Sequence, residues 1–228
     1  MLDAILNLLF PVSCVLCRTV VKQRRWGAAC PGCWSQLTPV PAPICPQCGM
    51  PAPAIEGPCG RCRLGEHRFD LARSALMFDD RCRELIHHLK YFDRVSLAGP
   101  FAEIMQACLD REPFTAEAIV AVPLHRSRQR RRGFNQAELI AERLNRPLLP
   151  RLLARRKNTP TQTGLTRPQR TSNLSGAFEV RGKPPSSVIV VDDVYTTGST
   201  LNEIAKALKR AGVQRVEALT VARVPEVQ

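Results

Sequence analysis

The chain has 228 residues, enough for one full domain and a small second one. A 23% charged fraction is ordinary and argues against a chain disordered throughout, and no apolar run reaches the roughly 20 residues of a membrane span. The formal net charge is +13, and residues 126–170 hold most of it: thirteen Arg or Lys against Glu138 and Glu142, or 13 − 2 = +11. A basic region of that size points to polyanions, nucleic acid or pyrophosphate. Arg outnumbers Lys there by twelve to one, which suits bidentate phosphate binding better than mere solubility.

In chain order, the opening stretch Met1–Phe10 is apolar but short. It carries Asp3, has no basic flank and lacks a small-residue cleavage site, so it reads as a short amphipathic helix packing on its own protein. A cytoplasmic location is the matching expectation. Eight cysteines then form four Cys-x-x-Cys knuckles: Cys14/Cys17, Cys30/Cys33, Cys45/Cys48 and Cys59/Cys62. Two knuckles appear twice, so 14–33 and 45–62 form an internal repeat. Four thiolates on two knuckles can surround one Zn²⁺, which predicts two structural zinc ions. Sequential pairing is the simplest arrangement, and interleaving stays open. Disulfides would need an oxidising compartment, and redox Cys-x-x-Cys pairs come singly. About 60 residues build little core, so metal binding would supply folding free energy. The domain boundary is drawn there: a zinc module over 1–65 and an α/β domain over 66–228.

Phe69–Phe78 alternates as a strand, and 80–91 has helical spacing with Leu85, Ile86 and Leu89 on one face. His87 and His88 on that helix read as solvated residues. A helix is expected over 97–109 and a buried strand over Ala118–Val122. Cys82 and Cys108, in helical patterns with no partner nearby, read as small buried apolar residues. Pro123-Leu124-His125-Arg126 and the Arg cluster to Gly133 follow as a loop, then a helix over 134–145. Residues 157–173 are rich in Thr, Gln, Arg and Pro and read as a mobile loop. Val188–Val191 is a buried strand, Asp192 and Asp193 sit where it is expected to end, and hydroxyl residues around Gly198 lead into a helix from Leu201. That helix runs to about Ala211, is closed by Gly212, and a strand over 215–223 completes a βαβ unit. Strands alternating with helices predict a parallel sheet with its ligand at the strand C-termini. A strand–loop–helix turn directs backbone N–H groups and a helix N-terminus at one spot, which suits phosphate. The aspartates beside it suit a pair of sugar hydroxyls. Both are expected exposed in a cleft.

Position by position, Val188–Thr200 resembles the 13-residue phosphoribosyl pyrophosphate (PRPP) motif of type I phosphoribosyltransferases, with Tyr195 bulkier than the usual aliphatic. The resemblance implies that Asp192 and Asp193 take the ribose hydroxyls and act in catalysis. Thr196, Thr197, Gly198, Ser199 and Thr200 would wrap the 5′-phosphate. It further implies a pyrophosphate loop at Pro123, Leu124, His125, Arg126 and Arg132, and a hood with Lys157, Gln162 and Arg170. Mg²⁺ would accompany PRPP.

The wider combination is more specific: Val122-Pro-Leu-His125-Arg126, Arg132-Gly-Phe-Asn-Gln136, Gln162-Thr-Gly-Leu165 with Arg170 and Asn173, and the PRPP motif behind a double zinc ribbon. Over essentially the whole chain it resembles the ComF family of competence proteins. That resemblance implies a phosphoribosyltransferase fold and a role in natural transformation or DNA utilisation. It implies partnership with the inner-membrane uptake machinery and its helicase, and more weakly gluconate utilisation. Two classes of function remain: a Mg²⁺-dependent phosphoribosyltransferase of unknown acceptor, and a non-catalytic nucleic-acid-binding or PRPP-sensing protein using the same pocket. Single-stranded DNA is the expected nucleic-acid partner, contacted by Arg128, Arg130 and Arg131, with Phe134 the main stacking candidate.

Overall fold

The computed structural model describes residues 11–52, 57–157 and 176–225. The expected N-terminal helix and the hood residues Gln162 and Arg170 lie outside that range. In chain order the described elements include α1 (Pro31–Trp34), α2 (Gly60–Arg63), β1 (Leu71–Met77), α3 (Asp80–Tyr91), α4 (Ala98–Arg111), β2 (Ile119–Ala121), α5 (Arg126–Arg132) and α6 (Gln136–Ala141). There follow β3 (Leu153–Arg155), β4 (Phe178–Val180), β5 (Ser187–Tyr195), α7 (Ser199–Arg210) and β6 (Arg215–Arg223). No described helix is long and apolar enough to cross a membrane.

The central sheet runs β1-β6-β5-β2 and every pairing is parallel. Its two inner strands are largely apolar on both faces, as a sheet covered on both sides requires, with Asp193, Glu217, Thr220 and Arg223 the buried polar exceptions. Ile189, Val191, Leu219 and Val221 pack with α3, α4 and α6. Val188, Val190, Val216 and Ala218 pack with α7 and the β3–β4 pair. Cys82 and Cys108 are buried, as expected of small apolar residues.

The two halves of the cysteine repeat lie on opposite faces of this sheet. The first joins the α3–α4 core, where the Trp34 ring meets Phe101 edge-on at 5.0 Å. The second joins the α7 core beside Phe69, Ala72 and Tyr195. Between them the chain crosses along β1. Ala72 N–H donates to the Gln47 carbonyl (2.7 Å), Val40 N–H to Ala75 (3.3 Å) and Met77 N–H to Thr38 (2.8 Å). The zinc module therefore lines the outer side of the edge strand.

Three expectations need correction. β5 does not stop at Val191 but continues through both aspartates to Tyr195, because Asp192 and Val194 keep their register with Thr220 and Ala222 of β6. The Arg cluster is not all loop: 126–132 is a helix, capped at its start by His125 Nδ1 on the Ser127 N–H (3.3 Å). The expected 134–145 helix is regular only over Gln136–Ala141 and starts later, with Asn135 Oδ1 as its cap on the Ala137 N–H (3.1 Å).

Candidate functional site

The C-terminal ends of β2 and β5 lie side by side. Ala121 pairs with Val191, and the Val122 N–H donates to the Val191 carbonyl (2.9 Å), so the 122–125 loop leaves the sheet level with Asp192. The segment Arg132-Gly-Phe-Asn-Gln136 ties these ends together. Gly133, in a left-handed conformation, closes α5 with its N–H on the Gln129 carbonyl (2.7 Å). Asn135 Nδ2 donates to the Val122 carbonyl (3.0 Å), and Gln136 Nε2 donates to Asp193 Oδ1 (3.0 Å). Arg132 donates to Gln136 Oε1 (2.5 Å) and lies over the Tyr91 ring at 5.2 Å.

Successive strand residues face opposite sides, and this separates the two aspartates. Asp193 faces the α3 side, is only 5% exposed, and is ion-paired with Lys90. It is thus not exposed in a cleft, contrary to expectation. Burial alone would raise its carboxyl, but Lys90 and Gln136 outweigh burial and hold it below the usual range. Asp192 lies on the other face and is half-buried. Burial first, and then the Asp193 charge, push its carboxyl well above the usual range. The network Lys90–Asp193–Gln136–Arg132 joins α3, β5, α6 and α5. Lys90 and Gln136 carried no signal for it, because their partner is remote in sequence.

The helical period sorts the Arg cluster. Arg128 and Arg132, four residues apart, are half-buried and turned inward; Arg126, Arg130 and Arg131 are exposed. Arg155 of β3 joins the inward pair. Burial lowers it to about 10, the Arg128 charge acts in the same sense, and Asp192 opposes both. Burial also holds Arg132 below the ordinary guanidinium range. Arg128 thus stands between two neighbours: Arg155, beside Asp192 on one face of β5, and Arg132, beside Asp193 on the other. Arg155 is a neighbour of Asp192 that sequence reasoning passed over. The structure leaves Arg126 outward and Lys157 exposed. Phe134 is half-buried against the α3–α4 core.

Thr196 to Gly198 forms the turn between β5 and α7, and Ser199 and Thr200 open the helix. Thr197 Oγ1 and Ser199 Oγ are 2.7 Å apart, and Gly198, at φ +77°, precedes the first turn of α7 without a side-chain cap. A helix start of this kind receives phosphate. A Cβ on Gly198 would lie 2.7 Å from the Tyr195 hydroxyl oxygen, so the bulky Tyr195 fixes glycine there. The Tyr195 ring is buried beneath the turn, against Arg223 at 4.7 Å, and Arg223 donates to the Cys48 carbonyl (2.8 Å). Arg61, in the last knuckle, donates to the Thr197 carbonyl (3.0 Å).

The cysteines form two separate four-thiol groups, Cys14/Cys17/Cys30/Cys33 and Cys45/Cys48/Cys59/Cys62, each with its sulfurs within 4.8 Å of one another. Sequential pairing is thus the arrangement present. The sulfurs of Cys17 and Cys30, Cys45 and Cys62, and Cys48 and Cys59 are 3.6, 3.6 and 3.7 Å apart. A tetrahedron with metal–sulfur bonds of about 2.3 Å has edges of about 3.8 Å. The repeat extends to the backbone: Cys30 N–H points at Cys14 Sγ (3.4 Å) and Cys59 N–H at Cys45 Sγ (3.3 Å). The two sites fit two structural zinc ions.

Residues 5–63 match the family described as double zinc ribbon domain, and residues 130–228 match the phosphoribosyl transferase domain. Competence protein F of Haemophilus influenzae is 34% identical over 227 residues, spanning 94% of this chain and 98% of its own. DNA utilization protein YhgH of Escherichia coli is 34% identical over 226 residues, spanning 93% and 97%. Competence protein ComFC of Bacillus subtilis is 28% identical over 218 residues, spanning 87% and 89%.

Proposed function

We infer the function from one premise: the chain belongs to the ComF family, in which a double zinc ribbon precedes a phosphoribosyltransferase domain. The relatives named for competence and for DNA utilisation support a role of that kind here. We propose that the protein binds PRPP or another 5-phosphoribosyl group together with Mg²⁺, and binds single-stranded DNA during DNA uptake or utilisation. The uptake helicase and inner-membrane machinery would be its partners.

One juxtaposition carries this reading: Asp192 and the 196–200 turn follow β5 at the sheet edge where the 122–125 loop leaves β2, with Arg128 and Arg155 nearby. The turn would hold the 5′-phosphate, and Arg128 and Arg155 the pyrophosphate. Asp192 would accept a ribose hydroxyl or hold Mg²⁺, which takes one or two carboxylates beside substrate phosphates. When bound, Mg²⁺ would supply charge neutralisation to the pyrophosphate. The residues contribute position and fixed charge.

A second reading has its own support. Lys90 and Gln136 already engage Asp193, one of the two expected sugar-hydroxyl acceptors. That favours a pocket that grips the 5′-phosphate end of a DNA strand without turnover.

Calorimetry with Mg²⁺-PRPP, and with 5′-phosphorylated and unphosphorylated single-stranded DNA, separates the readings. Asp192→Asn should abolish PRPP binding. Its raised carboxyl stabilises the fold only at low pH and loses that contribution as pH rises, so the variant should melt no lower than the parent at neutral pH. Asp193 has a lowered carboxyl, whose contribution is present at neutral pH and lost on acidification. Asp193→Asn should therefore destabilise at neutral pH, by about 2–3 kcal/mol, because Lys90 is left unpaired. Unchanged PRPP affinity in Asp192→Asn would overturn the pocket.

A further inference from the structure

The C-terminal end of α3 carries an aromatic cluster that the site described so far does not use. Tyr91 is 56% exposed and Phe92 55% exposed, although large apolar side chains elsewhere on α3 are buried. The rings touch one another. His87 lies 4.9 Å from Tyr91 and 5.4 Å from Phe92, and His88 lies 4.8 Å from Phe92. His87 is exposed, so three adjacent rings face solvent together. Among the described residues no comparable exposed cluster is present.

Its position suggests the occupant. Arg132, the last residue of α5, lies over the Tyr91 ring at 5.2 Å. The platform therefore adjoins the helix that presents Arg126, Arg130 and Arg131 to solvent. Lys90, next in sequence to Tyr91, is paired with Asp193, which fixes the end of α3 against β5. Exposed rings next to outward guanidinium groups match a polymer that alternates flat bases with phosphates. An apolar protein surface would use the rings but not the cations, and duplex DNA hides its base faces in the stack.

We propose that His87, Tyr91 and Phe92 form a stacking platform for unpaired bases of single-stranded DNA whose phosphates lie along α5. This rests on the single-stranded DNA reading above and replaces Phe134 as the stacking element. Base–aromatic stacking raises affinity by about five- to 150-fold per base, tolerates any base, and releases no counterion. Phosphate contacts are the opposite: each contributes a slope of about −0.7 in log affinity against log salt on single strands.

The test compares a thymidine oligonucleotide with an abasic strand of equal length and charge, titrated against the full-length zinc-loaded protein over a range of salt. The parent protein should prefer the thymidine strand by about tenfold or more. Tyr91→Ala with Phe92→Ala should reduce thymidine binding to the abasic level and leave the salt slope unchanged. Tyr91→Trp with Phe92→Tyr should keep the preference. Arg130→Ala with Arg131→Ala should do the reverse of the alanine pair, flattening the slope by about 1.4 while keeping the preference for bases. Both alanine positions are exposed, and a melting curve and zinc content matching the parent confirm the fold. Equal affinity of the parent for both strands would overturn the platform while leaving the phosphate contacts standing. A thymidine preference that survives Tyr91→Ala with Phe92→Ala would also overturn it and place stacking elsewhere. Binding of neither strand would overturn the DNA reading itself, and the platform with it.

Discussion

The two zinc ribbons share the Cys-x-x-Cys spacing of their knuckles, backbone N–H to sulfur contacts and sulfur separations, yet they meet different surroundings. In the first, Cys17 is exposed and Cys30 half-buried, and the ribbon packs on α4 through Trp34. In the second, all four cysteines are buried, and the ribbon touches the 196–200 turn through Arg61, Tyr195 and Arg223. The first is a cap over helices; the second is a brace behind the candidate site. A repeat in sequence is thus not a repeat in use, because what each copy does is set by the face of the sheet it covers.

The sharpest way to break this comparison is to remove one ligand from each ribbon. The protein should bind about two Zn²⁺ by the four-thiolates-per-ion rule, and Cys45→Ser should cost one of them. Because structural zinc supplies folding free energy, residues around 45–62 should loosen and PRPP affinity fall by about tenfold or more. Cys17→Ser, at the exposed corner of the first ribbon, should leave PRPP affinity within about twofold, since its surroundings do not reach the turn. Elemental analysis and calorimetry on the two variants check both statements; equal losses of affinity would erase the distinction.

A smaller effect should come from Arg61→Ala. It removes the bond to the Thr197 carbonyl and the ion pair with Glu66 (3.0 Å) without touching a cysteine. One hydrogen bond contributes about 0.5–1.5 kcal/mol, so phosphate or PRPP affinity should drop roughly two- to tenfold with zinc content unchanged. The smallest effect belongs to the same position of the other repeat. Cys30-Pro-Gly-Cys33 has Gly32 where Cys59-Gly-Arg-Cys62 has Arg61, and a Cβ there would meet nothing within 4 Å. Gly32→Ala should shift stability by no more than about 0.5 kcal/mol and leave ligand binding unchanged; thermal melts and the same titration test it.

Several of these features were legible in the sequence and several were not, for physical reasons. The knuckles were legible because tetrahedral thiolate binding fixes short spacings. The βαβ unit at 188–223 was legible because a two-sided core demands β-branched runs. The end of β5 was misplaced because a polar pair reads as a turn, whereas at this edge Asp192 keeps its backbone pairing with β6. The inward and outward arginines follow from helical period alone, once 126–132 is known to be a helix and not a loop. β3 and β4 have three residues each, too few for a periodic signal. Lys90 and Arg155 reach Asp193 and Asp192 only through tertiary packing, and no local pattern announces such a meeting. Tyr91 and Phe92 sit at the end of an amphipathic helix, where an apolar stripe normally means core.

The run of backbone bonds between the zinc module and β1 has a consequence for solubility. An edge strand with open N–H and C=O groups is a template for pairing with another chain. Here Thr38, Val40 and Gln47 occupy that edge in cis. A ribbon that loses its metal would release them and expose the edge of Leu71–Met77 before the rest of the domain unfolds. Metal loss should then show itself first as self-association: light scattering should rise on chelation at temperatures where far-UV circular dichroism still reports a folded sheet. A chelated protein that remains monomeric would mean that the strap stays in place without its ions.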